Sequence, residues 1–277
     1  MNYQKIVSDV VEKYKTTPID MLNIGDGAGE YSYLDALRDS YVRTVRDVDN
    51  LFGNSRSNRH IVEIGSFLGP VSISLKQMGY RVSALDIPEF FESASLRALY
   101  ESNGIPFVGV NLKHAKLPYD SESADAVISC EVFEHLNFNP LPAFQEINRV
   151  IKQQGYLYIG MPNQAKIANR LKLAFGRSVR NPVEDYFKQL DRKDNMIVGL
   201  HWREYTMAET VQLIEAMGFE LASKYYFSED GGAGAGLLKS ALKRVLSVYP
   251  AFRTSQVVIG RKIAASNHDF WLTDANS

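Results

Sequence analysis

The sequence predicts an α/β protein, a mostly parallel sheet with helices on both faces, and three observations carry the prediction. Short apolar runs at 60–65, 80–86, 106–110, 125–130 and 155–161 have the length and composition of strands buried on both faces. Helical stretches at about 69–78, 90–102 and 140–152 lie between them, and such alternation builds a parallel sheet covered by helices. The third observation is local. Ile61-Val62-Glu63-Ile64-Gly65-Ser66-Phe67-Leu68-Gly69 is an apolar run that ends in an acid and then glycines, and Asp86 closes the next apolar run. That is the shape of a nucleoside-binding β-α-β unit, whose second carboxylate can take two ribose hydroxyls.

Taken in order, Leu34, Leu37, Tyr41, Val45 and Val48 recur at spacings of three and four and predict one amphipathic helix over about 32–52. Residues 53–59 are polar and predict a linker into the core. Pro140 and Pro142 suit the first turn of a helix whose Phe144, Ile147, Val150 and Ile151 share one face. After Asn163 the alternation stops. The insert 164–200 carries Lys166, Arg170, Lys172, Arg177 and Arg180 before its first acid, Glu184. Thr206-Met207-Ala208-Glu209 is a capping box that opens a helix running to Gly218. Strand-like runs follow at 219–227 and 255–262. Between them Leu237, Leu238, Ala241, Leu242, Val245 and Leu246 alternate with Lys239, Lys243 and Arg244 as a basic amphipathic helix. The expected division is an N-terminal helical cap over 1–58, a core over 59–263 with a lid insert 164–200 and the helix 237–248, and a loose polar tail over 264–277.

A second glycine cluster, Gly25-Asp26-Gly27-Ala28-Gly29, fits a G-x-G-x-G loop taken alone. Pro18 and Asp20 leave little room for a strand before it, and no strand ending in an acid follows about 20 residues on. It reads as a glycine turn.

At 277 residues there is room for one such domain with additions. Apolar content of 45% and charged content of 23% belong to an ordinary globular chain. A net charge of −1 gives no global field for nucleic acid, which is disfavoured as a partner. Cys130 is the single cysteine, so neither an internal disulfide nor a cysteine-based zinc site can form. No apolar signal core follows Met1, and no run approaches the ~20 residues that cross a bilayer, so a cytoplasmic location is expected.

Glu63-Ile64-Gly65-Ser66-Phe67-Leu68-Gly69 resembles the first motif of class I S-adenosylmethionine-dependent methyltransferases, acid-x-Gly-x-Gly-x-Gly. Leu117-Pro118-Tyr119, followed by the run from Ser123 through Glu131-Val132-Phe133-Glu134-His135-Leu136, is similar to the fourth-strand motif of the ubiquinone-type branch (type 11 and type 23). Glu146 to Leu157 and His201-Trp202-Arg203-Glu204-Tyr205-Thr206 match further segments of that branch. The likeness covers roughly residues 58 to 262, and four blocks in order make it specific. One departure is Phe67 in place of the middle glycine. A nicotinamide-binding domain ranks second, because it too wants a glycine at position 67 and says nothing of the later blocks.

The resemblance implies a Rossmann-like sheet of seven strands in the order 3-2-1-4-5-7-6, the last antiparallel, and S-adenosylmethionine as cofactor, leaving as S-adenosylhomocysteine. By the resemblance, Gly65, Ser66, Phe67 and Gly69 bring backbone close to the cofactor and Glu63 meets its ammonium. Asp86, with Ile87 beside it, takes the ribose, Asn111 and Leu112 meet the adenine, and Cys130 and Glu131 face the methyl group. Cys130 reads as a small packed residue rather than a nucleophile. His135 and His201 are the candidates for removing a proton from a hydroxyl acceptor, against the bland reading of two histidines satisfied by backbone. Tyr31, Tyr33, Arg38, Asn163, Arg203 and Tyr205 are candidate acceptor contacts. No Asp/Asn set marks a magnesium-assisted site, and no metal is expected. The expected acceptor is a sugar hydroxyl in a glycan or natural product. A quinone-like or lipid small molecule is the alternative, and so is a cofactor-binding subunit without turnover. The basic helix leaves peripheral membrane contact open.

Overall fold

The computed structural model describes residues 1–17, 19, 29–53, 55–114, 116–191, 200–228 and 248–268. Most of the second glycine cluster and nearly all of the basic helix at 237–248 lie outside the described residues. The chain opens with helices α1 (Tyr3–Glu12), α2 (Gly29–Ala36) and α3 (Arg38–Phe52). The alternating core follows: β1 (His60–Ile64), α4 (Pro70–Gln77), β2 (Arg81–Asp86), α5 (Pro88–Phe91), α6 (Ala94–Ser102), β3 (Phe107–Gly109), β4 (Ala124–Cys130), α7 (Leu141–Val150) and β5 (Ile151–Pro162). The remainder comprises α8 (Ile167–Ala174), α9 (Val183–Asp191), α10 (Met207–Ala216), β6 (Phe219–Phe227) and β7 (Ser255–Lys262).

The seven strands order as β3-β2-β1-β4-β5-β7-β6, as expected. Strands β1 to β5 pair in parallel, and β7 runs antiparallel to both β5 and β6. Two apolar layers sandwich the sheet. On one face Val7, Val45, Ile73 and Leu96 bring α1, α3, α4 and α6 together. On the other, Phe144, Ile147 and Ile214 bring α7 and α10 together.

Three sequence expectations change. The single helix over 32–52 is two helices that meet at Leu37, whose backbone caps α3 with φ −95° and ψ 3°. The leading helix α1, not foreseen, buries Val7, Val10 and Val11 in the same layer as the sheet. The tail is docked as far as it is described, since Asn148 binds the carbonyl of Ala264 and the amide of Ser266.

Ion pairs rather than apolar contacts fix the ends of the polar linker. Asp49 of α3 accepts hydrogen bonds from Arg56 (2.6 Å), Tyr80 (2.7 Å) and Tyr3 (2.8 Å), tying α1, α3 and the start of β2. Asp125 at the start of β4 accepts from Arg59, Lys152 and the His60 amide.

Candidate active site

In a parallel sheet of this order the crevice opens at the carboxyl ends of the strands where β1 and β4 part company. Gly65 leaves β1 there with φ +70°, and a Cβ on it would lie 2.2 Å from Val132 Cγ2. Only glycine fits. Its amide and that of Ser66 donate to the Leu85 carbonyl, which locks the turn to β2. Gly69, at φ +76°, starts α4 with Pro70 in the first turn. Tyr100 donates to the Phe67 carbonyl (2.9 Å) and Tyr14 to the Leu68 carbonyl, so the loop is held from beneath by α6 and from the side by the N-terminal segment.

Phe67 stands at φ +45°, a left-handed conformation that costs a side-chain-bearing residue ~1–2 kcal/mol. The backbone thus keeps the turn a glycine would make. Two things hold it there. Its amide donates to Asp86 (2.7 Å), and its ring packs against Phe90 (5.3 Å) and edge-on against Tyr33 (5.8 Å).

Two buried acids face this loop. Glu63 is 5% exposed and accepts from the Ser72 hydroxyl. Burial pushes its carboxyl up to about 8, an acid short of a cation. Asp86 accepts the amides of Phe67 and Ile87, one on each oxygen, and burial raises it to about 6. A carboxylate has about four acceptor positions, so two remain for a diol. Asn111 is exposed, accepts the Lys113 amide and lines a groove of ≈ 310 Å³ past the end of β3, and Leu112 is buried beside it in the chain. At the end of β4, Cys130 contacts Thr44, and burial raises its thiol far above the ordinary range. Glu131 follows at φ +53°, its amide on the Gly160 carbonyl. A buried acid lacking a cation, an acid with spare acceptors and a turn with no room for a Cβ fit a nucleoside that carries an amino-acid chain.

The structure brings His135 and His201 together, their rings 4.8 Å apart and nearly perpendicular. His135 Nδ1 pairs with the Leu200 carbonyl (3.0 Å), and His201 Nδ1 with Glu204 (3.2 Å). Burial and the neighbouring His201 lower His135 to about 4, so its ring is neutral at neutral pH. Burial alone would raise Glu204, yet bonds from His201, Lys166 and Asn169 bring it down to about 2. The amides of Trp202 and Arg203 donate to the Glu134 carbonyl, which is how the two histidine segments meet. Glu134 itself was missed by the sequence reading. Its side chain is fully buried, and burial raises its carboxyl while a side-chain hydrogen bond with Glu131 holds it down in part. The signal was present in the spacing Glu131-x-x-Glu134-His135 beside His201-x-x-Glu204.

The proposed acceptor contacts scatter. Tyr33 is half exposed above Phe67. Tyr31 and Arg38 both bond Glu12, and Arg38 also Asp35, within the N-terminal helices. Asn163 is wholly buried and spends its amide on the Ala251 and Arg253 carbonyls. Tyr205 is 5% exposed, and Arg203 lies over its ring while pairing with Glu209. An aromatic pair not foreseen, Tyr186 and Trp202 at 5.2 Å, joins the insert to the segment that follows His201.

Comparison with known proteins bears on this crevice. Residues 62–159 match the family model described as a methyltransferase domain. A Mycolicibacterium smegmatis protein named "Probable S-adenosylmethionine-dependent methyltransferase" is 24% identical over 229 residues, 79% of this chain and 76% of the relative. Among solved structures, the chain bound to the Trm112 methyltransferase activator of Haloferax volcanii superposes with a TM-score of 0.58 at 16% identity, covering 89% of this chain and 99% of that one. Magnesium protoporphyrin IX methyltransferase from Synechocystis, solved with SAH, gives 0.53 at 16% identity over 83% and 87%. The matched segment carries a methyltransferase domain, and together with these relatives it supports an S-adenosylmethionine-dependent methyltransferase of the type 11 kind, with S-adenosylmethionine as cofactor.

Proposed function

We propose that this methyltransferase O-methylates a sugar hydroxyl of a glycan or natural product. The observation that carries the reading is that the His135–His201 pair and the Tyr186–Trp202 pair meet at the consecutive residues His201 and Trp202. Imidazoles can bond hydroxyls, and aromatic faces suit the C–H faces of a sugar ring. On this reading Glu63 meets the cofactor's ammonium and Asp86 its ribose, the start of α4 receives its carboxylate, and Asn111 and Leu112 border the adenine. The bound cofactor supplies an already activated methyl group. The chain then has to align the acceptor oxygen, exclude water and accommodate the hydroxyl proton. Alignment is the task of the loop and the insert, and the proton belongs to the histidine side.

The insert 164–200 is proposed as the lid of this site, over a core of 59–263 with the first 58 residues as its cap. A second acceptor class, a quinone-like or lipid small molecule, is favoured by Leu171, Leu173 and Phe175, which α8 and the turn after it leave more than half exposed. A groove of ≈ 630 Å³ runs past Leu171, Phe175 and Arg177. No described helix is long and apolar enough to cross a membrane. Turnover with an activating protein partner is the remaining variant of the reading, by likeness to the Haloferax chain's complex.

Titration calorimetry with S-adenosylmethionine, followed by S-adenosylhomocysteine release over a panel of glycosides, phenols and lipid phenols, tests the proposal. Release with glycosides alone supports it. Release with lipid phenols alone selects the second class, and tight binding without release over the panel favours a subunit that lacks turnover.

A further inference from the structure

We propose that α8 and the turn after it form a docking surface for the headgroup layer of a membrane rich in acidic phospholipids. Asn169 is the one buried residue of α8, and it donates to the Gln164 carbonyl and to Glu204. The helix is therefore pinned through its first turn, and its last turn stands clear of the core. Every residue from Arg170 to Ser178 is exposed. Leu173 is 61% and Phe175 78% exposed, and large apolar side chains exposed side by side mark a surface that meets something other than water. The turn that presents them is a defined one. The amides of Gly176 and Arg177 donate to the Leu173 and Lys172 carbonyls, and Gly176 stands at φ +67°. Val183 and Phe187, one turn apart on α9, add two more exposed apolar side chains from the same insert.

Charge decides what covers this surface. From residue 164 to residue 183 the chain carries Lys166, Arg170, Lys172, Arg177 and Arg180 and no acid, and acids begin only with Glu184 and Asp185 in the first turn of α9. Lys166 spends its charge on Glu204, and Arg170 and Arg180 donate to the carbonyls of Ala165 and Trp202. Lys172 and Arg177 instead line the ≈ 630 Å³ groove together with Leu171 and Phe175, and no acid lines it. Cations beside protruding apolar tips are the composition of a segment that lies in a bilayer interface. The tips enter the acyl boundary while the cations meet acidic headgroups. Two other occupants fit worse. A second copy meeting this face across a two-fold axis would set its cations against their own like charges. A nucleic acid would satisfy the cations but leave Leu173 and Phe175 in water. Arg180 and Tyr186 both reach Trp202, the neighbour of His201, so docking is felt beside the proposed acceptor contacts. Only that consequence rests on the proposed function.

The full-length protein is sedimented with vesicles of phosphatidylcholine alone and with vesicles in which about a third of the lipid is phosphatidylglycerol. The vesicles hold no methyl acceptor, so partition reads the surface and not turnover. The expected result is partition on the order of tenfold stronger into the acidic vesicles at low salt, lost as salt rises. Lys172→Glu with Arg177→Glu should abolish it. Leu173→Ser with Phe175→Ser should weaken it on the order of tenfold. Both double variants should keep the circular dichroism, because all four side chains are exposed. Phe175→Trp should add an emission that shifts to the blue on the acidic vesicles alone. Equal partition into neutral vesicles, no partition into acidic ones at low salt, or partition that both double variants leave intact overturns the proposal. A lipid-free dimer that Leu173→Ser with Phe175→Ser disperses overturns it in favour of a second copy. Calorimetry with S-adenosylmethionine on the same samples reports the cofactor site separately, so failure of one reading does not hide the other.

Discussion

Phe67 and Glu63 show how single residues bear the cost of the cofactor turn. Phe67 adopts a glycine's conformation and is compensated by Phe90, Tyr33 and Asp86. Replacing it by alanine removes the ring contacts but keeps the backbone cost, whereas glycine removes both. Phe67→Gly should therefore unfold about 1 kcal/mol later than Phe67→Ala in chemical denaturation. Equal stabilities would mean that the turn relaxes once the ring is gone. Glu63 gives a pH dependence. Its folded carboxyl titrates near 8 and an unfolded one near 4.5, so between those values the native state holds a proton that the unfolded state has lost. This contribution to stability is present in acid and is lost as pH rises from about 4.5 to 8. An ammonium beside the carboxylate reverses the preference. The Tm of the cofactor-free protein should fall more steeply over that range than that of Glu63→Gln, and S-adenosylmethionine binding below pH 8 should release protons, read as a buffer-dependent heat. A binding heat independent of the buffer would separate Glu63 from the cofactor. Sequence reading reached the position of both residues. It could not foresee that Phe67 keeps the glycine turn, because that depends on rings 23 and 34 positions away.

At the level of elements, long-range polar contacts decide what local pattern leaves open. The periodicity over 32–52 reads as one helix because Leu34, Leu37 and Tyr41 keep the spacing, and nothing in it marks the break at Leu37. The capping box at Thr206 was legible because both partners lie within one turn, and both bonds form. Lys262 was not. It is 3% exposed in β7 and donates to the carbonyls of Asn148 and Ile151, at the end of α7 and the start of β5. A cation there satisfies carbonyls that a helix terminus leaves unpaired. Burial lowers its ammonium, and Glu122 holds it up in part. Lys262→Met keeps the length of the side chain but strands both acceptors, and should cost about 1–3 kcal/mol in urea unfolding. A neutral result would show that water reaches those carbonyls.

Over the whole molecule, the sheet order was readable because strand runs and glycine turns are local signals repeated in sequence. The His135–His201–Glu134 cluster was only half readable, since it joins segments 66 residues apart across an insert of irregular pattern. The helix α1 lay beyond a reading that sought core strands, although Val7, Val10 and Val11 share its buried side. Its weight is in where it leads. Just beyond it, Tyr14 reaches Leu68, 54 positions on, and grips the glycine turn proposed to receive the nucleoside. Whatever stiffens that turn must then also slow the breathing of the leading segment, because an opening that breaks the grip gives up ligand affinity. Deuterium uptake at the amides of Val10 and Val11 should therefore slow when S-adenosylhomocysteine is added, and Tyr14→Phe should uncouple the two. On the proposed reading, the first turns of this chain gauge nucleoside occupancy from a distance.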